Sequence, residues 1–146
     1  LKNGQSIVAD VNGVIGLMNK QNPKDFGNSM ICNISDPSLM ESAKKAGKTR
    51  AQMSMRVAEK EIDGGIVVVG NAPTALLEVM EMFREGLVKP ALVVGMPVGF
   101  VSAVESKDEL SKTEIPFITN IGRKGGSPCA SAIINALYKL LRQGNN

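Results

Sequence analysis

Near its end the chain runs Gly122-Arg123-Lys124-Gly125-Gly126-Ser127, which places three glycines, two cations and a hydroxyl immediately before a helical pattern. Glycine lets backbone N–H groups approach a ligand closely, and a helix N-terminus favours negative charge. An arginine adds a charge-assisted bond worth about 1.5–3 kcal/mol. The run predicts an anion-binding loop carrying Arg123, Gly126 and Ser127; the alternative is a flexible basic turn. It is neither a Walker A sequence nor G-x-G-x-x-G, because its spacing and terminal residues differ. A second loop, Gly70-Asn71-Ala72-Pro73-Thr74, sets Asn71 and Thr74 between a strand and a helix, where open α/β sheets bind ligands. The same two side chains equally suit capping that helix. A third start, Thr49-Arg50, joins a good N-cap to a cation that opposes the helix dipole at a cost of about 0.3–1 kcal/mol. That mismatch points to an anionic partner for Arg50, against the alternative of a solvated surface side chain. The fourth stretch, Met96 to Val101, leaves a strand as a Pro/Gly loop. Its Val98, Gly99 and Phe100 suit a nonpolar ligand face, or else a plug for the core or a subunit contact.

These loops need a scaffold, and the apolar patterning supplies one. Ile66-Val67-Val68-Val69 is too uniformly apolar for a half-exposed strand and predicts one buried on both faces, as in a parallel sheet. Pro73 fits a first helical turn, and Leu76, Val79, Met80 and Phe83 then share one helix face. Further strands are expected at 6–11, 29–34, 91–95 and 117–121. Between them fall a short Gly-weakened helix over Val11–Met18, a helix after Ser35 or Asp36 that ends at Gly47, and a helix from Thr49 through Ile62. A polar helix follows through 106–110. A last helix aligns Ala130, Ile133, Ile134, Leu137, Leu140 and Leu141, with residues 143–146 expected to fray. Five strands alternating with helices imply a three-layer α/β/α domain over residues 1–146 with a mostly parallel sheet. Strand order is not readable from the pattern. The first strand arrives after only a few residues, so preceding chain is expected to be missing.

With 146 residues, 43% of them hydrophobic, the chain can bury one core, and with no Trp, one Tyr and four Phe that core must be aliphatic. The same scarcity of aromatics removes the platforms on which single-stranded bases stack, so no nucleic-acid partner is expected. A net charge of +3 suits an anionic ligand without a dense basic tail. No apolar run reaches membrane-spanning length, so no membrane partner is expected. Cys32 and Cys129 match no metal spacing and read as buried free thiols of a reducing cytoplasm. With no His, the commonest general acid/base and metal ligand are absent; neither a metal nor a cofactor is expected.

Taken in order, Lys48-Thr49-Arg50, Gly70 to Leu76, Pro97-Val98-Gly99-Phe100-Val101, Glu105-Ser106-Lys107, Gly122 to Ser127 and Asn135-Ala136-Leu137 resemble the precorrin-8X methylmutase family, including the cobalt-precorrin-8 methylmutases. The resemblance spans nearly the whole chain. It implies a homodimeric isomerase of cobalamin biosynthesis with its sites at the subunit boundary, and the free thiols add the expectation of a cytoplasmic location. Such enzymes move a methyl group from C-11 to C-12 of a tetrapyrrole, giving hydrogenobyrinate or cobyrinate. That ligand is a large apolar ring fringed with carboxylates, which suits Arg50 and Arg123 at the fringe and Val98 and Phe100 against the ring. The family donates a proton from a His near its N-terminus, which this sequence lacks, so no catalytic residue is assigned here. Three alternatives stay open: a corrin-binding but inactive relative, a nucleotide- or phosphate-binding α/β module, and a subunit whose Pro97–Val101 loop serves only assembly.

Overall fold

A computed structural model describes residues 1, 3–99 and 101–144. Among them the strands are β1 (Ile7–Ala9), β2 (Met30–Ile31), β3 (Ile66–Val69), β4 (Leu92–Gly95) and β5 (Phe117–Thr119). The helices are α1 (Asn12–Leu17), α2 (Gln21–Phe26), α3 (Ser38–Ala46), α4 (Arg50–Arg56), α5 (Glu59–Ile62), α6 (Pro73–Arg84), α7 (Ala103–Ser111) and α8 (Ser127–Gly144). The strands form one parallel sheet in the order β2-β1-β3-β4-β5. Every residue of β1 and β3 is buried, as a strand covered on both faces requires.

Successive strand side chains point to opposite faces, so each strand feeds two cores. Val8, Val67, Val69 and Val93 pack against Met55, Ala58, Ile62, Leu76, Val79, Met80 and Leu110 from α4 to α7. Ile7, Ala9, Ile66, Val68 and Val94 pack against Val14, Ala130, Ile134 and Tyr138 from α1 and α8. Each fully buried aliphatic side chain contributes about 1.5–3 kcal/mol. The expected three layers follow from this alternation.

Several boundaries differ from expectation. The expected strands at 6–11, 29–34 and 117–121 shorten to β1, β2 and β5. The single helix expected from Thr49 to Ile62 breaks into α4 and α5, which lets both Ala58 and Ile62 reach full burial. In α8, Leu140 is 63% exposed rather than in the core, and the helix runs on to Gly144 where fraying was expected. Cys32 is half-buried and Cys129 exposed, so the thiols are free but not both buried.

Tyr138 anchors the α8 side. Its ring is buried beside Phe26, and its hydroxyl donates to Asn28 Oδ1 at 2.5 Å. Burial pushes the phenol up to about 12. The native state therefore holds this proton after an unfolded chain, with an ordinary phenol near 10, has released it. Stability is expected to be intact below about pH 10 and to fall as pH rises toward 12. Melting temperature against pH checks this: Tyr138→Phe should flatten the alkaline limb.

Candidate functional site

β1 continues toward β2 on one side, while β3 continues toward β4 on the other, so their carboxyl ends diverge at a topological switch point. Asp10 follows β1 there and is fully buried. Its Oδ1 accepts the Gly70 N–H at 2.8 Å, and its Oδ2 accepts those of Asn71 at 3.0 Å and Ala72 at 2.8 Å. Burial pushes its carboxyl above the usual range, opposed by the N–H groups of Ala72, Gly70 and Asn71. This corrects the capping expectation. Ala72 is the N-cap of α6 and no side chain caps it, so Asn71 and Thr74 are not caps. The backbone donors expected to meet a ligand anion at this turn already hold the chain's own carboxylate. The exposed Asn71 and half-buried Thr74 side chains remain on the rim.

Gly70 brings the next loop in. A Cβ on it would lie 2.8 Å from Val14 Cγ2 and 2.9 Å from Ser127 Cα, so only glycine lets α8 begin this close to β3. Ser127 thus stands beside Asn71. The loop before it is tied to the end of β4: Gly126 N–H donates to Met96 O at 2.8 Å, and Gly99 N–H to Arg123 O at 3.4 Å. Lys107, only 2% exposed on α7, donates through Nζ to Gly122 O at 2.9 Å and Lys124 O at 2.5 Å. Among the described residues no carboxylate pairs with this buried ammonium; carbonyl dipoles satisfy it, and burial pushes its pKa down. The loop is therefore held, not a loose basic turn.

On the other flank, Thr49 caps α4 through a reciprocal pair with Gln52: Thr49 Oγ1 accepts the Gln52 N–H at 3.1 Å, and Gln52 Oε1 accepts the Thr49 N–H at 2.8 Å. Thr49 Oγ1 lies 3.5 Å from Thr74 Oγ1, which joins the two helix starts. Beneath them, buried Glu78 of α6 takes Lys48 Nζ at 3.0 Å, Arg56 Nε at 2.5 Å and Gln52 Nε2 at 3.0 Å. Arg50 is exposed, and among the described residues no carboxylate pairs with it.

The structure thus brings Thr49, Arg50, Asn71, Thr74, Val98, Gly99, Arg123, Gly126 and Ser127 to one edge of the sheet. Val98 is 42% exposed, so it does not plug the core. Phe100 lies outside the described residues. Along this edge run exposed guanidinium groups, hydroxyls, an amide and an apolar side chain, which together suit a ligand with acidic and apolar parts. Among the described residues no cluster of three or more His, Cys, Asp or Glu is placed to hold a metal. A separate cavity of about 480 Å³, lined by Leu1, Leu137, Leu140 and Leu141, opens at the opposite end of the sheet, where β3 and β4 begin. Asp10 and Lys107 hold these loops; the residue chemistry marks neither, and only Lys107 falls in a stretch that carries the family resemblance.

The model of one protein family, precorrin-8X methylmutase, matches residues 1–140. The cobalt-precorrin-8 methylmutase of Priestia megaterium is 53% identical over 144 residues, covering 99% of this chain but 64% of that relative. The precorrin-8X methylmutase of a Sinorhizobium species is 41% identical, covering 95% of this chain and 67% of the relative. A solved structure of precorrin-8x methyl mutase from Thermus thermophilus superposes with a TM-score of 0.89 at 39% identity, over 98% of this chain and 69% of that one. The chain therefore spans about two thirds of the length of these relatives.

Proposed function

The chain belongs to the precorrin-8X methylmutase family, and from that premise we propose that it forms the ring-binding part of an isomerase of cobalamin biosynthesis, moving a methyl group from C-11 to C-12 of a precorrin-8 tetrapyrrole. The observation that carries this reading is the convergence of four loops, two of them bearing arginine, on one edge of the parallel sheet.

The migration is intramolecular, so the chemistry asks for positioning more than for a nucleophile. Binding must fix the ring in a reactive geometry and favour the rearranging form over the ground state. Arg50 and Arg123 take carboxylates of the fringe, an arrangement suited to charge-assisted, bidentate contact. Thr49, Asn71, Thr74 and Ser127 offer hydroxyl and amide partners to the remaining polar groups. Val98, with Gly99 leaving the backbone accessible, lies against the ring face, and Phe100 is assigned the same role. With no His in the sequence, proton delivery to the ring is assigned to none of these residues.

Homodimerisation and a cytoplasmic location complete the reading. Val98, Val101 and Ile121 are 42%, 81% and 101% exposed close to the loop edge, an apolar surface that supports a subunit contact beside the site. No helix among the described residues is long and apolar enough to cross a membrane. A nucleotide- or phosphate-binding module would use Gly122 to Ser127 as its anion loop, and the start of α6 offers it no second anion site, since Asp10 already fills those N–H groups.

The test is a titration with cobyrinate or hydrogenobyrinate, followed through the corrin absorption bands. Saturable perturbation of those bands is expected. Arg50→Ala should weaken binding roughly ten- to hundred-fold, the loss of one charge-assisted contact. A flat titration at high protein concentration would sink the tetrapyrrole reading; parental affinity in Arg50→Ala would remove Arg50 from the site.

A further inference from the structure

Asp10 and the turn it holds are about 60 residues apart in sequence, yet the carboxylate is sealed from solvent and meets three consecutive backbone N–H groups at 2.8, 3.0 and 2.8 Å. We propose that Asp10 is a positioning residue for the ring site, and that by filling the N–H groups of Gly70, Asn71 and Ala72 it turns the ligand's carboxylates away from this turn and toward Arg50 and Arg123. The inference rests on the tetrapyrrole reading above.

Successive N–H groups at the start of a helix form an anion-binding concavity. Here that concavity opens α6, a helix of 12 residues, at the sheet's switch point. Left empty, it would compete for a rim carboxylate and draw the ring toward β3. An internal carboxylate removes that competitor. It also fixes the shape of the turn, because an ionised Asp is acceptor-only and both of its oxygens are engaged. Asn71 and Thr74 sit at and just beyond this turn, so their positions depend on Asp10 rather than on local sequence. An Asn at position 10 would keep the volume but aim an NH₂ at one of the three donors.

The experiment uses the full chain with Asp10→Ala and Asp10→Asn, titrated with cobyrinate with and without formate, while circular dichroism reports the folded fraction. Asp10→Ala should bind roughly ten-fold or more weakly, and formate should recover most of that loss by entering the vacated concavity. Asp10→Asn should weaken binding without recovery, because its amide occupies the space; it also serves where Asp10→Ala does not fold. A role in stability alone predicts a lower melting temperature with parental affinity in the folded fraction. That outcome, or affinity in Asp10→Ala that ignores formate, overturns the proposal. If the unaltered chain itself does not bind cobyrinate, the tetrapyrrole reading fails instead. The turn is then followed through the amide resonances of Gly70, Asn71 and Ala72 in Asp10→Ala. Formate should return them toward their original positions, and no response would overturn the positioning role.

Discussion

Replacing Gly125 with alanine is expected to leave the protein folded and to weaken corrin binding roughly ten- to hundred-fold. The added Cβ would stand 2.4 Å from Met96 O and 2.6 Å from Pro97 O. Both obstacles are backbone atoms, so no side-chain rotation relieves the clash. The loop over 122–126 must retreat from the end of β4 by a sizeable fraction of an ångström. That retreat breaks the 2.8 Å bond from Gly126 N–H to Met96 O and carries Arg123 and Ser127 with it. Losing a charge-assisted contact, worth about 1.5–3 kcal/mol, lowers affinity roughly ten- to hundred-fold. Overpacking of this kind lowers stability by about 1–3 kcal/mol, which a domain of this size survives. Corrin titration alongside a urea melt separates the two effects. If Gly125→Ala keeps the parental affinity, the loop is not part of the binding edge.

Gly125 also shows where residue patterns stop being informative. The loop was legible as a loop because three glycines and two cations before a helix are unusual in themselves. Which glycine bears the close contact is not legible: the pattern puts Gly126 at the ligand, whereas Gly125 makes the tight approach, against the carbonyls of Met96 and Pro97. The same limit applies to Lys107, which the resemblance includes but to which residue chemistry alone gives no role. A lysine on a polar helix reads as solvated, yet at 2% exposure it gathers the carbonyls of Gly122 and Lys124. Asp10 was hidden more deeply. An acid just past a short strand looks like the strand's polar end, and nothing nearby in sequence announces three N–H partners at positions 70–72.

What local patterning did carry was the sheet itself. A run such as Ile66 to Val69 admits one explanation, burial on both faces, and the structure buries all four residues. Helix starts at Pro73 and Thr49 were legible because each follows from one residue's own chemistry: a ring that suits the first turn, and a hydroxyl that accepts an N–H. The break between α4 and α5 was not, since neither Gly nor Pro marks it. Packing sets it, because Met55 before the break and Ala58 and Ile62 after it all reach full burial in one core. Strand order is likewise a matter of which strand meets which, and β1 at the interior of the sheet leaves no mark within its own residues. Loops advertise themselves through their own residues; the groups that hold those loops do not, because their partners are distant in sequence.

Glu78→Ala should be the most destabilising of these single changes, at about 2–4 kcal/mol. Glu78 is 3% exposed, and its carboxylate receives Arg56 Nε at 2.5 Å, Lys48 Nζ at 3.0 Å and Gln52 Nε2 at 3.0 Å. Removing it strands two cations at the seam between α4 and α6 and opens a polar void among packed side chains. Breaking a fully buried pair costs about 3–5 kcal/mol. The Lys48 and Arg56 side chains retain 31% and 21% exposure, so water recovers part of their solvation and the loss falls below the top of that range. Arg56 also keeps Glu85, whose Oε1 accepts from Nη2 at 2.6 Å and whose Oε2 accepts from Nη1 at 3.2 Å, so that cation is not wholly abandoned. Glu78→Gln retains an acceptor and the volume, and should lose about half as much. The midpoint of urea unfolding measures both, provided the slope stays constant. A functional loss should accompany the structural one, because Glu78 holds Lys48 and Gln52, which flank Thr49 and Arg50 in the chain, and Thr49 Oγ1 lies 3.5 Å from Thr74 Oγ1. Corrin affinity that is unchanged in the folded fraction of Glu78→Ala would show that Arg50 finds its place without this support.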